Sequence, residues 1–221
     1  MEKFLLDCAI DVIKWNELAK GKVSDIDDLS SVVDLQEKFC REEFNELVGA
    51  LSPDPEGLDN FVAEACDLFV VASFKFYLLY RTTYVYDPRP GSIPEIIEDI
   101  EYWVDRQQTD EALPRICDLL ASVECTHIME AKLRSNWTKL PKFSEFLNAV
   151  EYDDFTKAID MSVAVENECA RIELESDGRY KGVKCEVYSG RDTHLIFKDD
   201  AGKVVKPLTY KSWEEIYSKL C

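Results

Sequence analysis

The chain is short of positive charge. Its 221 residues carry 26 lysines and arginines against 44 aspartates and glutamates, a formal net charge of −18. A surface of that sign repels phosphate, which excludes nucleic-acid binding through a basic patch and attachment to anionic lipid. A polyanionic ligand would have to be bridged to the protein by cations. Histidine is scarce too, with His127 and His194 alone. The eight cysteines (Cys8, Cys40, Cys66, Cys117, Cys125, Cys169, Cys185 and Cys221) include no CxxC pair, which argues against a zinc site or a disulfide framework. Most of them lie in apolar helical patterns, where a thiol acts as a small hydrophobe. No apolar run is long enough to span a bilayer, since the richest, 68–80, contains Ser73 and Lys75. The opening helix-like stretch carries Glu2, Asp7 and Asp11 and lacks the basic region, apolar run and cleavage site of a signal peptide. The expectation is a reduced, cytoplasmic protein that binds neither membrane nor nucleic acid.

Apolar material is plentiful. Hydrophobic residues make up 46% of the chain and aromatics 11%, enough for a core and too much for global disorder. Periodicity predicts helices over 3–20, 31–51, 58–80, 94–107, 110–125, 127–139 and 153–174, the 110–125 and 127–139 segments being candidates for one continuous helix. Ser52-Pro53-Asp54-Pro55 and Asp87-Pro88-Arg89-Pro90-Gly91 punctuate them, as does Pro141. After Ser176-Asp177-Gly178 the pattern turns to strands at 184–188 and 194–198 and an extended piece at 203–205, with a short closing helix over 210–220. The fold class expected is mainly α: a helical domain over 1–175, with a small β-hairpin and helix appended over 176–221.

Two helices carry acids in the wrong place. Along the predicted second helix, Val32, Val33, Leu35, Phe39, Cys40, Phe44, Leu47, Ala50 and Leu51 share a broad arc. Glu43 and Glu46 fall inside it one turn apart, with Glu42 at its edge. The third helix is apolar almost all round, which marks a buried helix, yet it carries Glu64 and Asp67 on one face. An ionised carboxylate removed from water costs several kcal/mol unless it is paired or bound to a cation. Two such i, i+3 pairs on adjacent antiparallel helices would make an all-oxygen cage suited to Mg²⁺ or Mn²⁺. The plainer reading, a solvated helix face, fits one ExxE but fits two core-facing pairs poorly.

Those residues also form a known pattern. Glu42, Glu43 and Glu46 read as EExxE, and Glu64 with Asp67 as ExxD after seventeen intervening residues. This resembles the all-α nucleoside triphosphate pyrophosphohydrolase superfamily, which includes MazG-like proteins, dimeric dUTPases, dCTP pyrophosphatases and phosphoribosyl-ATP pyrophosphohydrolases. Arg134-Ser135-Asn136-Trp137-Thr138-Lys139 is similar to the RxNxxK segment of MazG-like and phosphoribosyl-ATP pyrophosphohydrolase-like proteins, many of them from phages. Val204-Val205-Lys206-Pro207 resembles a VxKP segment near their C-termini. Trp15 and Asn16 sit where their first helix carries base-pocket residues. Compared with compact relatives, the helices over about 90–125 and the segment 142–202 are additions, so substrate identity does not transfer.

The resemblance implies Mg²⁺-dependent hydrolysis of a (d)NTP to (d)NMP and pyrophosphate. Glu43, Glu46, Glu64 and Asp67 would hold the metal, with Glu42, Glu43 and Glu46 as the catalytic acids. For Glu42, the roles of proton acceptor and of solvated edge residue both stay open. Arg134, Asn136 and Lys139 would meet phosphate, as would Lys206. Trp15 and Asn16 would meet the base, although Trp15 also reads as a core residue. Lys75 would either pair with the acidic cluster or reach a phosphate. Relatives assemble as homodimers or homotetramers. Two rivals stand beside this reading. Glu124-Cys125-Thr126-His127 is an ExxH of the di-iron type, but such centres need two. A non-catalytic helical nucleotide-binding or interaction module would keep the fold but has no need of buried acids.

Overall fold

The computed structural model describes residues 1–51, 56–150, 161–189 and 192–220. The chain is mainly helical, with one small antiparallel β-pair towards its C-terminus, as the periodicity predicts. Helix α1 (Glu2–Lys20) ends at Gly21, whose φ of 89° lies in the region glycine enters without strain. A single 3-10 turn (Val23–Asp25) leads to α2 (Leu29–Gly49), which starts where the Asp28 carboxylate accepts from the Ser31 N–H at 3.1 Å. Helix α3 (Glu56–Tyr80) follows, then α4 (Ile93–Asp105), α5 (Thr109–Ser122) and α6 (Thr126–Trp137). Helices α5 and α6 are not one helix: Val123 between them is extended, at φ −124° and ψ 155°.

The chain divides into two compact units, Met1–Leu133 with Tyr217–Cys221, and Arg134–Ile216. In the first, α3 packs against α1, α2 and α5, and α4 packs on α5. That central place explains the apolar sequence of α3: Ala63, Ala65, Cys66, Leu68, Ala72 and Leu78 are fully buried. The buried stripe of α2 is narrower than the predicted arc. Cys40, Phe44 and Leu47 are buried at helical spacing and Gln36 joins them, while Leu35 is 43% exposed.

The second unit contains α7 (Phe143–Ala149), α8 (Met161–Glu175), β1 (Lys184–Ser189) and β2 (Thr193–Lys198). The strands pair with Glu186 opposite Ile196. Phe146 of α7, Ala164 and Ile172 of α8, and Leu195, Phe197 and Val205 share one core. This core is why the division falls inside α6 and not near residue 176, where the composition changes: α7 and α8 bury their apolar faces on the strands. Helix α7 was not expected, because a seven-residue segment is too short to show periodicity. Of the helix expected over 153–174, the part before 161 lies outside the described residues, as do the stop signal at 52–55 and Cys221. The extended piece at 203–205 makes a single bridge, Lys198 to Val204. The closing helix α9 is shorter than expected, Trp213–Tyr217. No described helix is long and apolar enough to cross a membrane. The seven described cysteines are free thiols.

Candidate metal centre

The first unit brings the two acidic motifs together. Helices α2 and α3 pack side by side, and one carboxylate oxygen from each of Glu43, Glu64 and Asp67 lies within 4.8 Å of the others. Glu46 joins from α2, with its carboxyl hydrogen-bonded to that of Glu64. Pairing 43 with 67 and 46 with 64 is the register of an antiparallel helix pair, because the numbers climb on one helix as they fall on the other. Glu43, Glu64 and Asp67 are half-buried, whereas Glu46 and Glu42 are exposed. The acids therefore sit at the rim of the apolar stripe and not within it.

Crowding sets their acidity. Burial pushes the Glu43 carboxyl up to about 8, and the neighbouring charges of Asp67, Glu46 and Glu64 add to the rise. Glu64 is raised by burial as well, with Lys132 opposing. Lys132 of α6 supplies the counter-charge. Its side chain is buried and its ammonium is hydrogen-bonded to Asp67. Burial alone would lower this lysine, but the attraction of Asp67 and Glu64 outweighs it and the ammonium is held above its ordinary range.

The sequence reading missed Lys132, although the signal was present. Ile128, Met129, Ala131 and Ser135 are buried on α6, and Lys132 lies one turn from each of Ile128, Met129 and Ser135. A cation on an apolar stripe is the same anomaly that exposed the four acids. The donor set suits a hard divalent cation: every ligand atom is an oxygen, the carboxylates crowd one point, and one lysine offsets several acids.

Other expected site residues lie elsewhere. Lys75 is not among the four acids. It is buried, donates to Thr109 at 3.1 Å and to Asp110 at 2.8 Å, and is hydrogen-bonded to Glu37 as well. The reason is position: Lys75 faces α5 from α3, where Thr109 and Asp110 begin α5. Asn16 is buried and donates its amide to the Val12 carbonyl of its own helix at 3.0 Å, and Trp15 is half-buried. Glu124 and His127 are both exposed.

Arg134, Asn136, Lys139 and Lys206 belong to the second unit. There the Lys139 ammonium donates to Asn136 Oδ1 at 2.8 Å, and Arg134 and Lys206 are exposed. His194 packs 6.5 Å from the Trp137 ring, with its Nδ1 at 2.8 Å from the Leu140 carbonyl oxygen.

No protein-family model, curated protein or solved structure matches this chain.

Proposed function

We propose that the protein is a divalent-metal-dependent hydrolase that converts a (d)NTP to the (d)NMP and pyrophosphate and so controls a nucleotide pool. The observation that carries this reading is the meeting of Glu43, Glu64 and Asp67 from two helices within 4.8 Å, beside one lysine. Nothing in the packing of an apolar helix pair calls for converging acids, which cost stability until a cation joins them.

Glu43, Glu46, Glu64 and Asp67 would hold Mg²⁺, with Mn²⁺ as a substitute. When bound, the metal screens phosphate charge and acidifies a coordinated water. The chain's own residues have three tasks. The carboxylates fix the cation between α2 and α3. Lys132 orients Asp67 and neutralises one charge of the set. Glu42, exposed at the edge of the same helix, can accept a proton and pass it to solvent. Phosphate recognition by Arg134, Asn136, Lys139 and Lys206 follows the family resemblance, as does assembly into a homodimer or homotetramer.

The decisive experiment is pyrophosphate release from a panel of ribo- and deoxyribonucleoside triphosphates with Mg²⁺ or Mn²⁺. Release from at least one nucleotide, lost on adding a chelator, is expected. A folded protein that releases none would sink the enzyme reading and favour a non-catalytic module. Glu46→Gln and Asp67→Asn are each expected to abolish turnover while the circular dichroism spectrum stays unchanged. Activity within a few fold of the parent would mean that the cage is misassigned.

A further inference from the structure

Two half-buried cysteines of the second unit meet at its core. Cys169 belongs to α8 and Cys185 to β1, and both pack against the cluster that contains Phe146, Ile172, Leu195 and Phe197. Helix α8 packs on β1, and one hydrogen bond fixes their alignment. The Val183 N–H donates to the Glu173 carboxylate at 2.6 Å. From that point the helix is followed backwards and the strand forwards. Cys169 lies four residues back along α8, about 6 Å at the helical rise. Cys185 lies two residues on along the strand, about 6.6 Å at the extended rise. The two advances match, so the cysteines come side by side.

Both side chains also face the right way. Val183 and Cys185 share one side of the strand, and Val183 is buried while Lys184 and Glu186 are exposed. Cys169 lies one turn from Val165 and from Ile172 on the stripe that α8 turns to the same core. The thiols sense each other: burial pushes the Cys185 thiol up to about 12, and the neighbouring Cys169 adds to the rise. Burial raises the Cys169 thiol too, with Glu168 and Glu173 adding to it. A sulfur that forms its thiolate at such cost is a poor leaving group, so a bond between the two would resist attack by other thiols. The Cys185 thiol gives up little to form that bond, since it donates only weakly, at 3.7 Å, to the Glu186 carbonyl.

We propose that Cys169 and Cys185 are a redox-modification site, a thiol pair that a low-molecular-weight disulfide converts to an internal disulfide stapling α8 to β1. One protein thiol loses its proton and its sulfur attacks the small disulfide, whose S–S bond breaks and releases a thiolate that takes up a proton. The second protein thiol loses its proton and attacks the mixed disulfide. The Cys169–Cys185 bond forms and the second small thiol leaves with that proton. Two protein thiols are thereby oxidised, and one small disulfide is reduced to two thiols. The staple would close a loop between positions sixteen apart, which restricts the unfolded chain more than the folded one. The inference stands apart from the nucleotide chemistry and needs none of its residues.

The test is incubation of the full chain with excess oxidised glutathione, followed by intact mass measurement and peptide mapping without reduction. The parent is expected to lose two hydrogens, to regain them with dithiothreitol, and to yield one linked peptide pair containing Cys169 and Cys185. Cys169→Ser and Cys185→Ser should each abolish that loss and leave a glutathione adduct on the remaining member of the pair. In the oxidised parent, hydrogen exchange at the β1 amides paired with β2 should slow by about a hundredfold. The peptide map is read on the parent, so it holds even if a serine variant fails to fold. No internal bond in the parent, stable glutathione adducts on both cysteines, a linked pair elsewhere in the chain, or unchanged β1 exchange after oxidation would each overturn the proposal.

Discussion

Glu43 and Lys132 both respond to the carboxylates gathered between α2 and α3, one by holding a proton and the other by holding its charge. A carboxyl pushed up to about 8 in the folded chain keeps its proton where the unfolded chain, near 4.5, has lost it. Its contribution to stability is therefore full below about 4.5 and is lost as pH rises through about 8. With a chelator present, the melting midpoint is expected to fall across that window. Glu43→Gln, which cannot ionise, should flatten the fall and raise the midpoint at pH 8.5 by about 2–4 °C for each kcal/mol recovered. Added Mg²⁺ should stabilise the parent more at pH 8.5 than at pH 6, because the proton on Glu43 competes with the cation; an equal shift at both would remove Glu43 from the ligand set. Lys132→Met should destabilise the metal-free protein by about 1–3 kcal/mol, less than a fully enclosed pair, since the Asp67 side chain is 29% exposed. Chemical denaturation with and without Mg²⁺ checks this, and Mg²⁺ should shrink the difference. The acids were legible in the sequence because an acid on an apolar stripe stands out against its neighbours. Lys132 does not stand out in the same way, because α6 is of mixed composition and its partner Asp67 lies 65 residues earlier in the chain.

At the scale of elements, a buried ion network joins three helices. Lys75 of α3 is held between Glu37 of α2 and Asp110 of α5, and Asp110 also accepts from the Tyr80 hydroxyl at 2.8 Å. Burial pulls the Lys75 ammonium down, but Asp110 and Glu37 more than restore it, so it is held above its ordinary range. Removing one member leaves buried charges without their counter-ion. Lys75→Met is expected to cost about 3–5 kcal/mol in urea denaturation; a cost below about 1 kcal/mol would show that the network is not holding the helices together. A sequence shows that a lysine sits on an apolar face but not which helix it faces, and here α5 supplies the partner 35 residues later. Helix α7 was hidden for another reason. It is stabilised by tertiary burial of Phe146, which is fully enclosed, and not by a repeating pattern. Phe146→Ala should cost about 3–5 kcal/mol, read in the second unit by loss of amide protection on β2.

For the whole molecule, the acidic balance has two components. Most of the described acids are exposed, whereas Glu43, Glu64 and Asp67 converge between α2 and α3. A protein of this charge should pass through heparin and DNA columns at low salt without retention, while Mg²⁺ should raise amide protection along α2 and α3. Retention on the polyanion would contradict the charge argument. The two units also differ in their thiols. Cys8, Cys40, Cys66, Cys117 and Cys125 are buried in the first, and Cys169 and Cys185 are half-buried in the second. Burial pushes the Cys8 and Cys40 thiols up to about 12. A thiol that is both enclosed and held neutral reacts with an alkylating reagent only after the chain around it opens. The buried cysteines therefore form a built-in set of clocks, in which labelling of Cys66, whose thiol lies near Cys8 and Cys125, times the parting of α3 from α1.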